Sequence, residues 1–302
     1  GDDKWGMQGG RVRLGTTEQT AFSDDGIALT AVTDKLRIED WTEAFADDGS
    51  VVMGPIPENG RRWQDYFASA ELPIVFYYTG RRGQAKTPRP KGHHCLICEL
   101  GQVRRGTPIQ FDVDAVPCGG GKRYLGFTPA LRPGFEYFLS CGIPGEMEGE
   151  RYKQSPELVK ELLAHMPEFE APAPTIVFKR WDQLEADDEP AVVVFFAPPD
   201  VLSGLFTLAG FDESSPEAVI APFSSGCGSI VYYPYQELQA EHPRAVLGMF
   251  DVSARPCVPA NTLSFSVPWP KFVRMVDQMD ESFLITPSWH KVRTRMARGT
   301  ES

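Results

Sequence analysis

The sequence predicts an α+β fold of mixed sheets and flanking helices, and three features predict it. Apolar, β-rich runs of strand length occur at 72–79 and 191–196. Stretches with helical spacing and cap signals lie between and after them, as at Ser155-Pro156-Glu157. Strands and helices mix without the strict alternation that makes a doubly wound sheet. The 302 residues are 42% hydrophobic and 24% charged. A chain of this size and composition buries a sizeable core without disulfide staples.

Taken in order, residues 1–32 are rich in Gly, Thr and Asp and read as an irregular arm. Gly1 to Gly6 reads as a vector remnant ahead of Met7 or as the start of a processed chain. Residues 33–302 read as a single α+β unit. Thr33-Asp34 caps a helix with Leu36, Ile38, Trp41 and Phe45 at helical spacing, ended by Gly49. A short helix is expected around Trp63, Tyr66 and Phe67, then a strand over 72–79. Residues 80–92 carry Arg81, Arg82, Lys86, Arg89 and Lys91. They read as a solvated basic loop, or as an anion-guiding rim for the cysteines that follow. Strands are expected over 109–113 and 124–127, on either side of a turn at Cys118. Ser155 caps a helix running to about Met166.

Residues 167–174 hold three prolines and read as a linker between halves 33–166 and 175–302. The second half opens with a strand over 175–178. Residues 191–196 are apolar on both faces, as a central strand would be. Val201, Leu202, Leu205 and Leu208 mark a helix ending at Gly210. Further strands are expected over 229–233, 245–251 and 262–267. Phe272, Met275, Val276 and Met279 form a helical face, and Pro287 opens a last helix. The runs at 72–77 and 189–195 echo each other. Each is followed by a glycine-flanked cysteine and a Leu-Gly segment, which suggests two halves related by duplication.

A net charge of −11 disfavours nucleic acid or an anionic membrane as partner. No apolar run approaches the roughly 18–20 residues that span a bilayer, and no signal peptide is recognised. Six cysteines in 302 residues is not disulfide-dense. The expected compartment is a reducing cytoplasm.

Chemistry concentrates at four cysteines. Cys95 and Cys98 form a C-x-x-C unit after His93-His94, Cys118 precedes Gly119-Gly120-Gly121, and Cys227 lies between Gly226 and Gly228. Glycine leaves room beside a sulfur and exposes N–H groups to it. Thiolates are soft metal ligands and nucleophiles. A zinc ribbon needs a second C-x-x-C pair, and none exists. Cys118 and Cys227 would instead complete a four-thiolate set from distant segments, as iron–sulfur clusters allow and as tetrahedral zinc also allows. The bland alternative is four free thiols in turns. Cys141 and Cys257 read as packing residues or surface thiols. Gly119, Gly120 and Gly121 fail the Walker pattern, since Lys122 is followed by Arg123. They remain a candidate backbone nest for a sulfide, thiolate or small anion. Arg255 reads as a carboxylate or phosphate ligand, or as the partner of an acid such as Asp251.

These segments resemble domain of unknown function 169, an uncharacterised family of bacteria and archaea. The resemblance covers roughly residues 70–270. It rests on the strand 72–78, the cysteine at 95 or 98, Cys118-Gly119-Gly120 with Leu125-Gly126-Phe127, Cys227, and the segment from Leu247-Gly248-Met249 to Arg255. Met249 stands where the family often has a cysteine, so Cys98 or Cys257 would replace that ligand. The family implies a fold and a cysteine site and no reaction.

The expected function is therefore a cysteine-ligated iron–sulfur or zinc protein with a redox or electron-transfer role and an unknown redox partner. The alternative is a small-anion-binding protein or a thiol-dependent enzyme built on Cys118 and Arg255. No catalytic residue is assigned.

Overall fold

Seven strands pair into one sheet. They are β1 (Ile74–Thr79), β2 (Ile109–Phe111), β3 (Thr175–Arg180), β4 (Val192–Ala197), β5 (Val219–Ile220), β6 (Ala245–Gly248) and β7 (Leu263–Pro268), in the order β2-β3-β1-β4-β7-β6-β5. This computed structural model describes residues 63, 65–67, 71–81, 83–88, 94–129 and 131–299. The predicted arm and the helix over 33–49 lie outside the described residues. These described residues belong to one compact unit. The sheet is antiparallel except for β5 and β6, which run parallel. The architecture is α+β, as the mixed pattern predicts; duplication of the halves is not shown.

β1 and β4 lie in the middle because both of their faces are apolar, and every residue of β4 is buried. One face carries Ile74, Phe76, Ile176, Phe178, Val192, Val194 and Phe196. It is covered by α1 (Leu96–Arg104) and by the segment around Ile230 and Val231. On the other face Phe195 packs on Phe272 of α7 (Trp269–Asp277), and a second helix, α5 (Pro199–Ala209), also meets β7. Between these helices in chain order come α2 (Gly119–Tyr124), α3 (Phe135–Phe138), α4 (Pro156–Ala164) and α6 (Tyr233–Glu237); α8 (Pro287–Gly299) follows. Ser155 Oγ accepts from Leu158 N–H at 3.4 Å, and Gly210 ends α5, as their cap signals predict.

β3, which follows the proline-rich 167–174, sits between β1 and β2. The two halves thus share strand pairs, and the sheet does not divide at those prolines.

Two expected strands are not strands. Of the expected strand 124–127, Tyr124 ends α2 and 125–127 form a turn in which Leu125 is the C-cap, while Gly228–Tyr232, within the expected strand 229–233, form a π-helical turn that runs into α6. Both segments are short and apolar enough to read as strands, but each packs against the sheet instead of joining it. A Cβ on Gly248 would overlap Ser229, and it would lie 2.9 Å from Ser264 Oγ. Small residues on β6 and β7 thus let the π-helical turn lie close on the sheet, carrying Cys227 with it.

A buried polar knot lies on the sheet face opposite α1. Lys179 Nζ donates to Asp188 at 2.8 Å and to Glu185 at 3.1 Å, and the Tyr77 hydroxyl donates to Asp188. Burial, reinforced by Asp188, pushes the Tyr77 hydroxyl far above its usual pKa.

Candidate functional site

Four segments meet at the start of α1. Cys95 is the N-cap of α1, and burial pushes its thiol above the usual value. N–H donation from Ile97 and Cys98 works against that shift, and the nearby Cys118 and Asp251 add to it. Cys118 is the N-cap of α2, and its Sγ accepts from Gly121 N–H at 3.3 Å. Gly121 is required for this approach. A Cβ there would lie 3.0 Å from Cys118 Sγ and 2.9 Å from Val116 Cγ1, with Leu96 at 3.8 Å.

Cys227 arrives at the head of the π-helical turn. Its predecessor Gly226 is wedged among Ile97, Met249 and Ala254, at 2.9, 3.2 and 3.3 Å from an ideal Cβ. Cys227 is buried, which pushes its thiol well above the usual value, and Cys118, Cys95 and Asp251 add to that shift. Asp251 Oδ2 accepts from Gly226 N–H at 3.1 Å and Oδ1 from Ser253 N–H at 3.0 Å. The carboxylate therefore ties the loop after β6 to the cysteine turn. Met249, buried and at φ 68°, turns the chain there in a conformation that L residues rarely adopt. Ser229 Oγ accepts from Met249 N–H at 3.3 Å and donates to the Gly226 carbonyl at 3.0 Å. Tyr124 flanks Cys227 and hydrogen-bonds Ser225; burial first, then nearby Tyr233, pushes its hydroxyl up to about 12.

Three of the four predicted ligands, Cys95, Cys118 and Cys227, therefore lie near one another on separate segments. The fourth, Cys98, is joined to Cys257 in a disulfide, with Cα atoms 4.7 Å apart and 159 residues between them in sequence. Cys98 is exposed in the first turn of α1, and Cys257 closes the short helical turn Arg255–Cys257 that packs against that helix. That bond takes Cys98 out of the thiolate set in this state.

The sulfur triangle is open. Among the described residues, the group of three or more potential ligand atoms all within 4.8 Å of one another is Glu185, Asp187 and Asp188, not the cysteines. A single tetrahedral zinc with Zn–S of about 2.3 Å needs sulfurs about 3.8 Å apart. The acidic group is taken up in the knot already described, with Asp187 also paired to Arg81.

Arg255 is held by backbone carbonyls. Its terminal nitrogens bond the carbonyls of Thr262, Pro259 and Ala260 and clamp that loop. Gly119 and Gly120 form the first turn of α2, with open space beside both. Arg123 donates to the Pro129 carbonyl at 2.6 Å. His94 is exposed, and His93 lies outside the described residues, as do Arg82, Arg89 and Lys91.

Sequence reasoning missed Ser229 and Tyr124, and it named Asp251 only as a partner for Arg255 and Met249 only as the residue in place of a family cysteine. For Asp251 a signal existed: Asp-Val-Ser after a strand is an Asx-turn pattern. No helix of the described residues is long and apolar enough to cross a membrane.

No curated protein and no solved structure matches the chain. The model of the uncharacterised ArCR family, domain of unknown function 169, matches residues 69–278. That span holds every strand of the sheet and all four converging segments, and the chain belongs to this family.

Proposed function

We propose that the protein holds a cysteine-ligated metal centre, an iron–sulfur cluster first and zinc second, and uses it for electron transfer or redox sensing. The observation that supports this most is the convergence of Cys95, Cys118 and Cys227 with Asp251 from four segments far apart in sequence. Burial and mutual repulsion disfavour thiolates there until a cation arrives, and the donors are soft. A bound cluster supplies one-electron transfer. The chain supplies the rest. Gly121 N–H holds the Cys118 sulfur, Asp251 holds the Cys227 turn, and the apolar packing of Ile97, Ile230 and Met249 limits water. A cytoplasmic setting, where thiols stay reduced, goes with this reading.

The competing reading, an anion-binding protein or thiol enzyme built on Cys118 and Arg255, has less behind it. Arg255 is committed to loop carbonyls.

The test is metal and acid-labile sulfide content, with the visible spectrum, on anaerobically purified protein. Iron and sulfide are expected, lost in Cys118→Ser and in Cys227→Ser and kept in Cys141→Ser, which changes an exposed thiol. Wild-type protein free of metal under those conditions would overturn the reading.

A further inference from the structure

The Cys98–Cys257 disulfide occupies a telling place. It joins α1, whose N-cap is Cys95, to the loop that begins at Asp251. Those are two walls of the thiol site. Cys98 is exposed, so external thiols reach it. Cys95, the N-cap of α1, and Cys98, in its first turn, are three residues apart, and Cys98 N–H donates to the Cys95 carbonyl at 3.1 Å. Cys98 in the reduced state is thus the nearest additional thiol along the chain to the open triangle. Cys257 packs, like Cys95, against the hydrophobic cluster that contains Cys227.

We propose that this disulfide is a redox gate for the metal site, an inference that rests on the metal-binding reading above. In the oxidised form the site offers three thiols and its walls are stapled. An external dithiol reduces the gate. One of its thiolates attacks Cys98 or Cys257 and forms a mixed disulfide, and its second thiolate closes a dithiol disulfide. Two electrons and two protons pass to the protein as the Cys98 and Cys257 thiols. The freed Cys98 then turns toward Cys95 and completes a four-thiolate set. Oxidation withdraws the fourth ligand and weakens the centre.

The experiment uses the full chain, poised in buffers of reduced and oxidised dithiothreitol and then desalted anaerobically, because the reduced dithiol itself binds Cd²⁺, with two readouts. Alkylation followed by mass spectrometry reports whether Cys98 and Cys257 are joined. Titration with Cd²⁺ alone reports the ultraviolet thiolate-to-metal band and the affinity. Loss of partners that merely orient a ligand costs 10–100-fold in metal affinity, so losing a ligand itself should cost at least about tenfold. The reduced protein is expected to bind Cd²⁺ at least about tenfold tighter than the oxidised protein, with a more intense band. Cys257→Ser, which leaves Cys98 always free, should bind as the reduced wild type does at every poise. Cys98→Ser should show the weaker band at every poise. Equal Cd²⁺ affinity and band in both redox states overturns the gate while leaving the metal site standing. So does finding Cys98 and Cys257 as free thiols at every poise. Absence of Cd²⁺ binding in every state and variant overturns the metal reading, and the gate with it.

Discussion

Gly226→Ala tests the idea that close packing around one glycine sets the sulfur geometry. The added Cβ would meet Ile97 Cγ1 at 2.9 Å, Met249 Sδ at 3.2 Å and Ala254 Cβ at 3.3 Å. Against an ordinary contact of 3.4 Å, the shortfalls are 0.5, 0.2 and 0.1 Å. Met249 can give, being flexible. Ala254 Cβ is fixed to backbone, and Ile97 is β-branched and held in the core at 2% exposure. Overpacking of this kind costs about 1–3 kcal/mol. For a unit of about this size that is roughly 2–4 °C in Tm per kcal/mol. The displacement falls between Cys227 and the first turn of α1, so the sulfurs should part as well. Urea unfolding measures the first effect, and Cd²⁺ affinity with the labelling rate of Cys227 measures the second. Ile97→Ala alone should cost about 2–5 kcal/mol as a cavity. Combined with Gly226→Ala it should cost less than the sum, because the new methyl occupies the space. A Gly226→Ala protein within about 0.5 kcal/mol of wild type, with unchanged Cd²⁺ affinity, would refute the reasoning.

Three further outcomes are expected. Asp188→Ala leaves Lys179 buried with only the exposed Glu185 as counter-charge and should cost about 3–5 kcal/mol in urea, whereas Lys179→Met with Asp188→Leu and Tyr77→Phe should recover much of it; a neutral single variant would mean the knot contributes nothing. The metal-free protein should lose stability as pH rises past about 9, because the unfolded thiols deprotonate there while burial keeps those of Cys227 and Cys95 protonated in the fold; the native state then holds more protons than the unfolded state, and the slope is negative. Buried Tyr124 steepens that fall above pH 10, and Cys227→Ser should flatten its first part, as urea midpoints from about pH 7 to about pH 11 would record. Met249→Cys places a thiol at the position that carries Met249 against Gly226, and it should raise the intensity of the Cd²⁺ thiolate band in oxidised protein; an unchanged band would place that side chain outside the coordination sphere.

Much of the sheet was legible because its strands obey local rules. β1, β3, β4 and β7 are apolar runs of strand length, and the caps at Ser155 and Gly210 end helices through their own backbone chemistry. The errors share a cause. α2 begins in three glycines, which are poor helix formers, and Gly228–Tyr232 is short and β-branched; tertiary packing decided both. The insertion of β3 between β1 and β2 likewise depends on pairings between residues far apart in sequence, such as Phe76 with Phe178. The cysteines were legible as candidates because glycine and histidine surround them. Their division into three thiols and one disulfide was not, since Cys98 and Cys257 meet only when α1 docks against the Arg255–Cys257 turn. Arg255 looked free because its partners are backbone carbonyls, which a sequence does not display.

The direction of the thiol shifts bears on what the site is for. A catalytic cysteine needs its thiolate near neutral pH, so its surroundings supply positive charge or aligned N–H groups. Here N–H groups are present at Cys95 and Cys118, yet burial and the company of two more sulfurs and Asp251 outweigh them at Cys95 and at Cys227. Such an arrangement is costly for any anion and favourable for a cation, which cancels the mutual repulsion of its ligands and displaces their protons as it binds. Under the proposed gate, tying Cys98 into a neutral disulfide withholds one ligand from a site where three thiols and a carboxylate already lie together, and reduction would return it for a metal to hold.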